Sequence, residues 1–197
     1  MRINTVRLRK TVGLLGMLLP LIVALLVGYI PQSISATYYT NAGPVFMIIL
    51  GWASGLLICY KGYELIDDIL LTCTGIAGFG ICLFPCSITD AHEKVGTFLI
   101  DNQVSNILHC AFAVIFFGLL AYNSLFLFTK GAGEATKRKK ARNVIFRVCG
   151  IGMVVSFFIL LLPIPCKMWV TEAAALFFFG VSFLTKANIY PWLFCDK

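Results

Sequence analysis

Hydrophobic residues along this chain come in long unbroken runs separated by short polar punctuation. Six runs approach or exceed the length of about 20 residues that a helix needs to cross a bilayer, at roughly 11–30, 43–60, 65–85, 104–128, 143–164 and 168–186. At about 1.5 Å per residue each run covers most of a hydrocarbon layer about 30 Å thick, so each predicts a spanning helix. Their ends are marked by Arg9-Lys10 before the first run, Pro31-Gln32-Ser33 after it, and Pro163-Ile164-Pro165 after the fifth. The runs are continuous rather than alternating and about twice as long as a barrel strand, which argues against a transmembrane β-barrel and leaves helices to satisfy the backbone in lipid. The expected fold is all-α: a single polytopic transmembrane bundle of six helices over residues 1–197. The first run follows a basic segment, as a signal peptide would. It is too long for a typical secretory apolar core and ends in Gly28-Tyr29-Ile30-Pro31, a poor cleavage site, so it is read as a retained helix.

Composition sharpens this picture. Hydrophobic residues make up 59% of the chain and charged residues 13%, too few to cover a soluble core. The net charge of +7 would suit a nucleic-acid partner, but its distribution has another explanation. With the N-terminus cytoplasmic, 14 of the 16 Lys and Arg residues fall on the inner side, among them Arg7, Arg9, Lys10, Lys61, Lys130, the Lys137–Arg142 cluster, Arg147 and Lys186. Lys94 and Lys167 alone fall outside. This asymmetry follows the positive-inside rule and predicts a multi-pass cell-membrane protein with both termini in the cytoplasm, with no nucleic acid needed. Tyr38, Tyr39, Tyr60, Tyr63, Trp169, Tyr190 and Trp192 fall near span ends, where aromatic belts form.

The longest connections, roughly 86–103 outside and 129–142 inside, can carry a site but no fold of their own. The second divides the chain into four and two helices, and no internal repeat of the inverted-repeat transporter kind is evident. Eight cysteines include no Cys-x-x-Cys pair. Cys73, Cys82, Cys110 and Cys149 read as small apolar residues inside spans. Cys86 and Cys166 each follow a proline at an outer span end, where a disulfide could join them if their Cα atoms lie within about 7 Å; two free thiols are the alternative.

Ionisable groups at membrane depth are the sharpest functional signal in such a chain. His109 and Glu172 both lie about one turn below the outer surface, roughly 6–8 Å deep, and could meet. The pair reads either as a binding or catalytic centre or as a hydrogen bond locking two helices. The loop Ser33-Ile34-Ser35-Ala36-Thr37-Tyr38-Tyr39-Thr40-Asn41 would roof it, supplying Ser33, Ser35, Tyr38 and Tyr39 as ligand-binding groups. Asp90, His92, Glu93 and Asp101 lie in the next outer loop, but with two histidines and no metal-binding spacing no metal or other cofactor is expected. At the inner end, Arg147 matches Asp67 and Asp68 in depth and would form an interhelical ion pair or snorkel to headgroups. Gly51 and Gly55 have the spacing of close helix packing, and Lys137–Lys140 with Arg142 could attract anionic lipid.

Several of these segments together give a pattern that resembles the bacterial six-helix membrane proteins grouped as DUF998. They are Ser33-Ile-Ser-Ala-Thr-Tyr-Tyr-Thr40, Tyr60-Lys-Gly-Tyr63, Leu83-Phe-Pro85, the His109 helix with Phe116-Phe117, and Glu172 followed by Phe179-Gly180. Cys86 departs from the small hydroxyl residue that the pattern leads one to expect after Pro85. The resemblance implies a helical bundle and carries no assigned activity. At the level of topology alone the chain is also similar to six-helix regulators of the Frag1, DRAM and Sfk1 type.

Three functions follow as expectations. The first is an outward-facing polar pocket of Ser33, Ser35, Tyr38, Tyr39, His109 and Glu172 that binds a lipid or small amphiphile in a regulatory or sensing role, with membrane lipids as partners. The second is an intramembrane lipid or amide hydrolase using His109 and Glu172. The third is a small transporter or channel, working as a homo-oligomer, with a gate at Asp67, Asp68 and Arg147.

Overall fold

The computed structural model describes residues 5–62, 64–87, 94–130 and 136–188. Tyr63, Tyr190, Trp192, Asp90, His92 and Glu93 lie outside the described residues. The helices are α1 (Thr5–Val27), α2 (Gly43–Ile58), α3 (Leu65–Leu83), α4 (Asn102–Tyr122), α5 (Lys137–Ser156) and α6 (Lys167–Lys186). Five are long and apolar enough to cross a membrane, the character of an integral membrane protein. The sixth, α2, has 16 residues and so spans about 24 Å. Pro44 at its start and Cys59 at its end bound it, and the 3-10 turn Ser35–Tyr39 covers the end it leaves short.

Helix ends follow local chemistry. Gly28, at φ +80°, ends α1 in the left-handed conformation that suits glycine after a helix. The Asp101 carboxylate accepts from the amides of Gln103 and Val104 and starts α4; the Thr136 hydroxyl accepts from the Lys139 amide and starts α5. α1 and α5 thus begin about two turns before the apolar runs do, because straight-chain basic residues are good helix formers. A short hairpin of β1 (Lys94–Val95) and β2 (Ile100–Asp101), in register Lys94 with Asp101, leads into α4. α4 ends in a π-turn over Asn123–Leu127, and α5 in a 3-10 turn over Phe157–Leu161.

Neighbours in sequence are neighbours in space, and α6 closes the ring against α1. Val12, Val23, Leu57, Leu71, Leu120, Met153, Phe179 and Phe183 fill its interior. Lipid is as apolar as these side chains, so close contact and buried hydrogen bonds must hold the bundle. Gly13 and Gly180 bring α1 and α6 together: a Cβ on Gly180 would strike the Met17 side chain and lie 2.8 Å from the Gly13 carbonyl. Gly51 and Gly55 face the Phe79 ring with ordinary spacing, whereas the close approach of α2 and α3 is at Ser54 against Gly75 and Gly78. The Asn123 amide donates to the Thr74 hydroxyl (3.3 Å), and the Ser124 hydroxyl contacts both Ser182 and the Phe146 carbonyl.

Candidate functional site

At the end of the bundle away from the Lys/Arg cluster, Ser33–Tyr39 folds as a lid. The Ser33 hydroxyl accepts from the Ala36 amide (2.9 Å) and the Thr37 hydroxyl donates to the Ile34 carbonyl (2.5 Å), so the loop carries its own turn chemistry. The Ile34 amide donates to one carboxylate oxygen of Glu172 (2.5 Å), and the Ser35 hydroxyl donates to the other (3.1 Å). Glu172 is therefore the latch of the lid, its charge set against the positive end of a 3-10 turn. The lid is tied elsewhere by the Trp169 amide donating to Gln32 and by the Tyr39 hydroxyl donating to the Cys86 carbonyl at 2.7 Å. Tyr38 lies edge-on to Tyr39 at 5.0 Å between ring centres. Burial, with the neighbouring Cys86 and Tyr38, pushes the Tyr39 phenol up to about 12.

His109 has a different task. Its Nδ1 lies 2.8 Å from the Phe84 carbonyl, and because a carbonyl has no proton to give, Nδ1–H donates. One turn earlier the Ser105 hydroxyl donates to the Pro85 carbonyl (2.8 Å). Both satisfy carbonyls freed where Pro85 ends α3. The expected meeting of His109 with Glu172 does not occur: no hydrogen bond or ion pair joins them, because the two side chains leave their helices toward different neighbours.

Beneath the lid is a central cavity of about 40 Å³, bounded by Ile34, Ser35 and Glu172 above and by Leu19, Phe116, Phe117 and Leu176. It is mostly apolar, not the polar pocket expected. On the outside of the ring, between α4 and α5, an apolar groove of about 320 Å³ is bounded by Val114, Gly118, Ala121, Met153, Phe157 and Phe117. Phe117 is thus the wall between groove and cavity. It stands in the sequence beside Phe116, but only the rotation of α4 in the ring gives it this place.

Cys86 and Cys166 carry free thiols, so the disulfide considered for them is not formed. The Cys166 thiol faces the Ile30 carbonyl (3.7 Å), whereas Cys86 sits under Tyr39 near Glu172. Burial, reinforced by the Glu172 carboxylate, pushes the Cys86 thiol up to about 12.

At the basic end the acids have other partners than the one expected. The Asp67 side chain, 2% exposed, takes Lys130 at 2.8 Å, and Lys130 also binds Glu64 at 2.9 Å. These two carboxylates hold the Lys130 ammonium up at about 12. Asp68 pairs with Lys61 (3.4 Å) and accepts from the Gly62 amide (2.6 Å). Arg147 is exposed on α5 and joins neither acid, because its position in the helical period turns it away from the ring. Lys130 was missed in sequence because it lies past a span end, and the π-turn of α4 redirects the chain there. Among the described residues no group of three His, Cys, Asp or Glu side chains is arranged to hold a metal ion.

A scan of protein-family models, a search of curated proteins and a search of solved structures each find no match for this chain.

Proposed function

We propose that this is an integral membrane protein that binds a lipid or similar amphiphile, its acyl chain in the α4–α5 groove and its head group at Glu172 beneath the lid. The observation that carries the reading is Phe117, one ring shared by the groove of about 320 Å³ and the cavity of about 40 Å³. As it stands the cavity, at about 40 Å³, is too small for a lipid head group. This is the closed arrangement. Turning the Phe117 side chain about its rotatable bonds joins the two spaces and opens the cavity sideways to lipid. A head group that donates to Glu172 then competes with the Ile34 amide and the Ser35 hydroxyl, so occupancy loosens the lid. Such coupling suits a sensing role, since a ligand shifts a conformational equilibrium by its differential affinity for the two states. The Lys/Arg asymmetry orients the bundle with the lid outside and both termini in the cytoplasm.

The test is photolabelling of the full chain in phosphatidylcholine vesicles that carry a diazirine-bearing acyl chain. Adducts are expected at groove residues such as Met153 and Phe157 and at cavity residues such as Leu176. Phe117→Trp should suppress the cavity adducts and spare those on the outer surface, such as Leu25 and Leu161. Labelling confined to the outer surface in the unmodified chain overturns the reading.

A further inference from the structure

Among the described residues Glu172 is the one charged side chain that lines the cavity beneath the lid, and the groups that donate to it, the Ile34 amide and the Ser35 hydroxyl, are neutral. The cations at this end of the bundle do not answer its charge. Lys94 and Lys167 are exposed, and among the described residues no Lys, Arg or His side chain forms an ion pair with Glu172. A carboxylate in mainly apolar surroundings usually has a cationic partner, because neutral donors hydrogen-bond its oxygens without balancing its charge. The buried acid at the far end shows the usual arrangement, for Asp67 takes Lys130 at 2.8 Å.

The rest of the lining suits a cation. Phe46, Phe116 and Phe117 bring three largely buried phenyl rings to the same space, and Phe116 stands edge-on to Phe117 at 5.5 Å between ring centres. The face of a phenyl ring is the negative end of its quadrupole and attracts a cation, more strongly where water is excluded. Aromatic rings gathered around one space are the composition of sites that hold ammonium groups.

Other head groups fit this lining less well. A phosphate or carboxylate would stand against Glu172 in a space lined by no basic side chain. A zwitterionic phospholipid brings its phosphate with it and meets the same obstacle. A neutral hydroxyl exchanges for the Ser35 hydroxyl like for like and gains little. A trimethylammonium suits the rings but has no N–H to replace the two donors that it displaces from Glu172. A primary ammonium has three donors, makes charge-assisted hydrogen bonds to a carboxylate, and is the most compact of these cations in a space of about 40 Å³.

Building on the reading of groove and cavity as one lipid site, we propose that its ligand is a long-chain alkylammonium amphiphile. The primary ammonium pairs with the Glu172 carboxylate among Phe46, Phe116 and Phe117, and the alkyl chain passes Phe117 into the groove beside Met153 and Phe157. Such an amine, like a lysine side chain, is protonated near neutral pH. Its N–H groups replace the Ile34 and Ser35 donors, so the lid responds to the charge of the head group as well as to its presence.

The full chain in phosphatidylcholine vesicles is photolabelled at neutral pH with diazirine-bearing dodecylamine, dodecanol and dodecanoate. Adducts at the cavity residue Leu176 are divided by those at the exposed Leu25 and Leu161, which corrects for how much of each probe enters the bilayer. The ratio for the amine should exceed that for the alcohol by about tenfold or more, as an added charge-assisted hydrogen bond does, and the carboxylate should fall below the alcohol. Glu172→Gln should bring the amine down to the level of the alcohol. E64Q removes an exposed acid at the far end and should leave all the ratios unchanged. Should E172Q fail to fold, the ranking of the probes on the unmodified chain decides the matter. An alcohol or carboxylate ratio equal to or above that of the amine, or a loss with E64Q as large as with E172Q, overturns the alkylammonium assignment and leaves the lipid site standing. Adducts confined to Leu25 and Leu161 with every probe overturn both.

Discussion

Cys86 shows what a single position gains from its surroundings. In the sequence it is a thiol after a proline; in the bundle it lies under Tyr39, close enough to Glu172 to feel its charge. Its thiol is raised to about 12, by burial first and Glu172 second, so little thiolate exists near neutral pH. A chain retaining Cys86 as its sole cysteine should react with a water-soluble maleimide at pH 8 at least about a hundredfold more slowly folded than unfolded in dodecyl sulfate. Because the carboxylate raises the thiol, Glu172→Gln should lower it and speed the folded reaction at a given pH, by less than unfolding does. Equal folded and unfolded rates would refute this account. Place along the helix was legible for His109 and Glu172, since residue number fixes height along a helix axis. Direction was not. Whether two side chains at one height meet depends on how each helix is rotated about its axis, and here His109 turns to the end of α3 while Glu172 turns to the lid. The same ambiguity left Arg147 either to pair with Asp67 or Asp68 or to snorkel; in the structure Lys130 takes Asp67 and Arg147 stands exposed.

Among the elements, spans were read from apolar length, and five of six helices have it. The exception, α2, is short because Pro44 sets its start and the chain turns at Cys59. Contacts between elements were less legible. The spacing of Gly51 and Gly55 marked α2, yet α1 and α6 make a close crossing, with Gly13 and Gly180 near opposite ends of the sequence. Gly180→Ala should destabilise the bundle by about 1–3 kcal/mol, because its Cβ meets Met17 and a backbone carbonyl that cannot give way. Gly118→Ala meets nothing within 4 Å and should be neutral or stabilising by up to about 1 kcal/mol from helix propensity. Thermal unfolding in detergent compares the two directly, and equal melting temperatures would contradict the crossing.

Across the whole molecule the distribution of basic residues supports an orientation that fusions can check. A fluorescent protein at the C-terminus should fold and fluoresce, and a reporter active only outside the cytoplasm should work when inserted just after the lid, at Thr40-Asn41. The reverse pattern would invert the bundle. Composition and run length by themselves determined an all-α, membrane-type chain, because a hydrocarbon solvent admits few ways to satisfy a backbone and each has a plain signature in sequence. They also marked the lid loop and Glu172 as notable. Only the tertiary structure joined Glu172 to Ile34 and Ser35, made Phe117 a wall between two spaces, and drew Phe46, Phe116 and Phe117 around the cavity that Glu172 bounds. The physical reason is that apolar periodicity reports which residues avoid water, and in lipid every face of a helix avoids it; the rotation of each helix is then set by side-chain packing against neighbours distant in the chain.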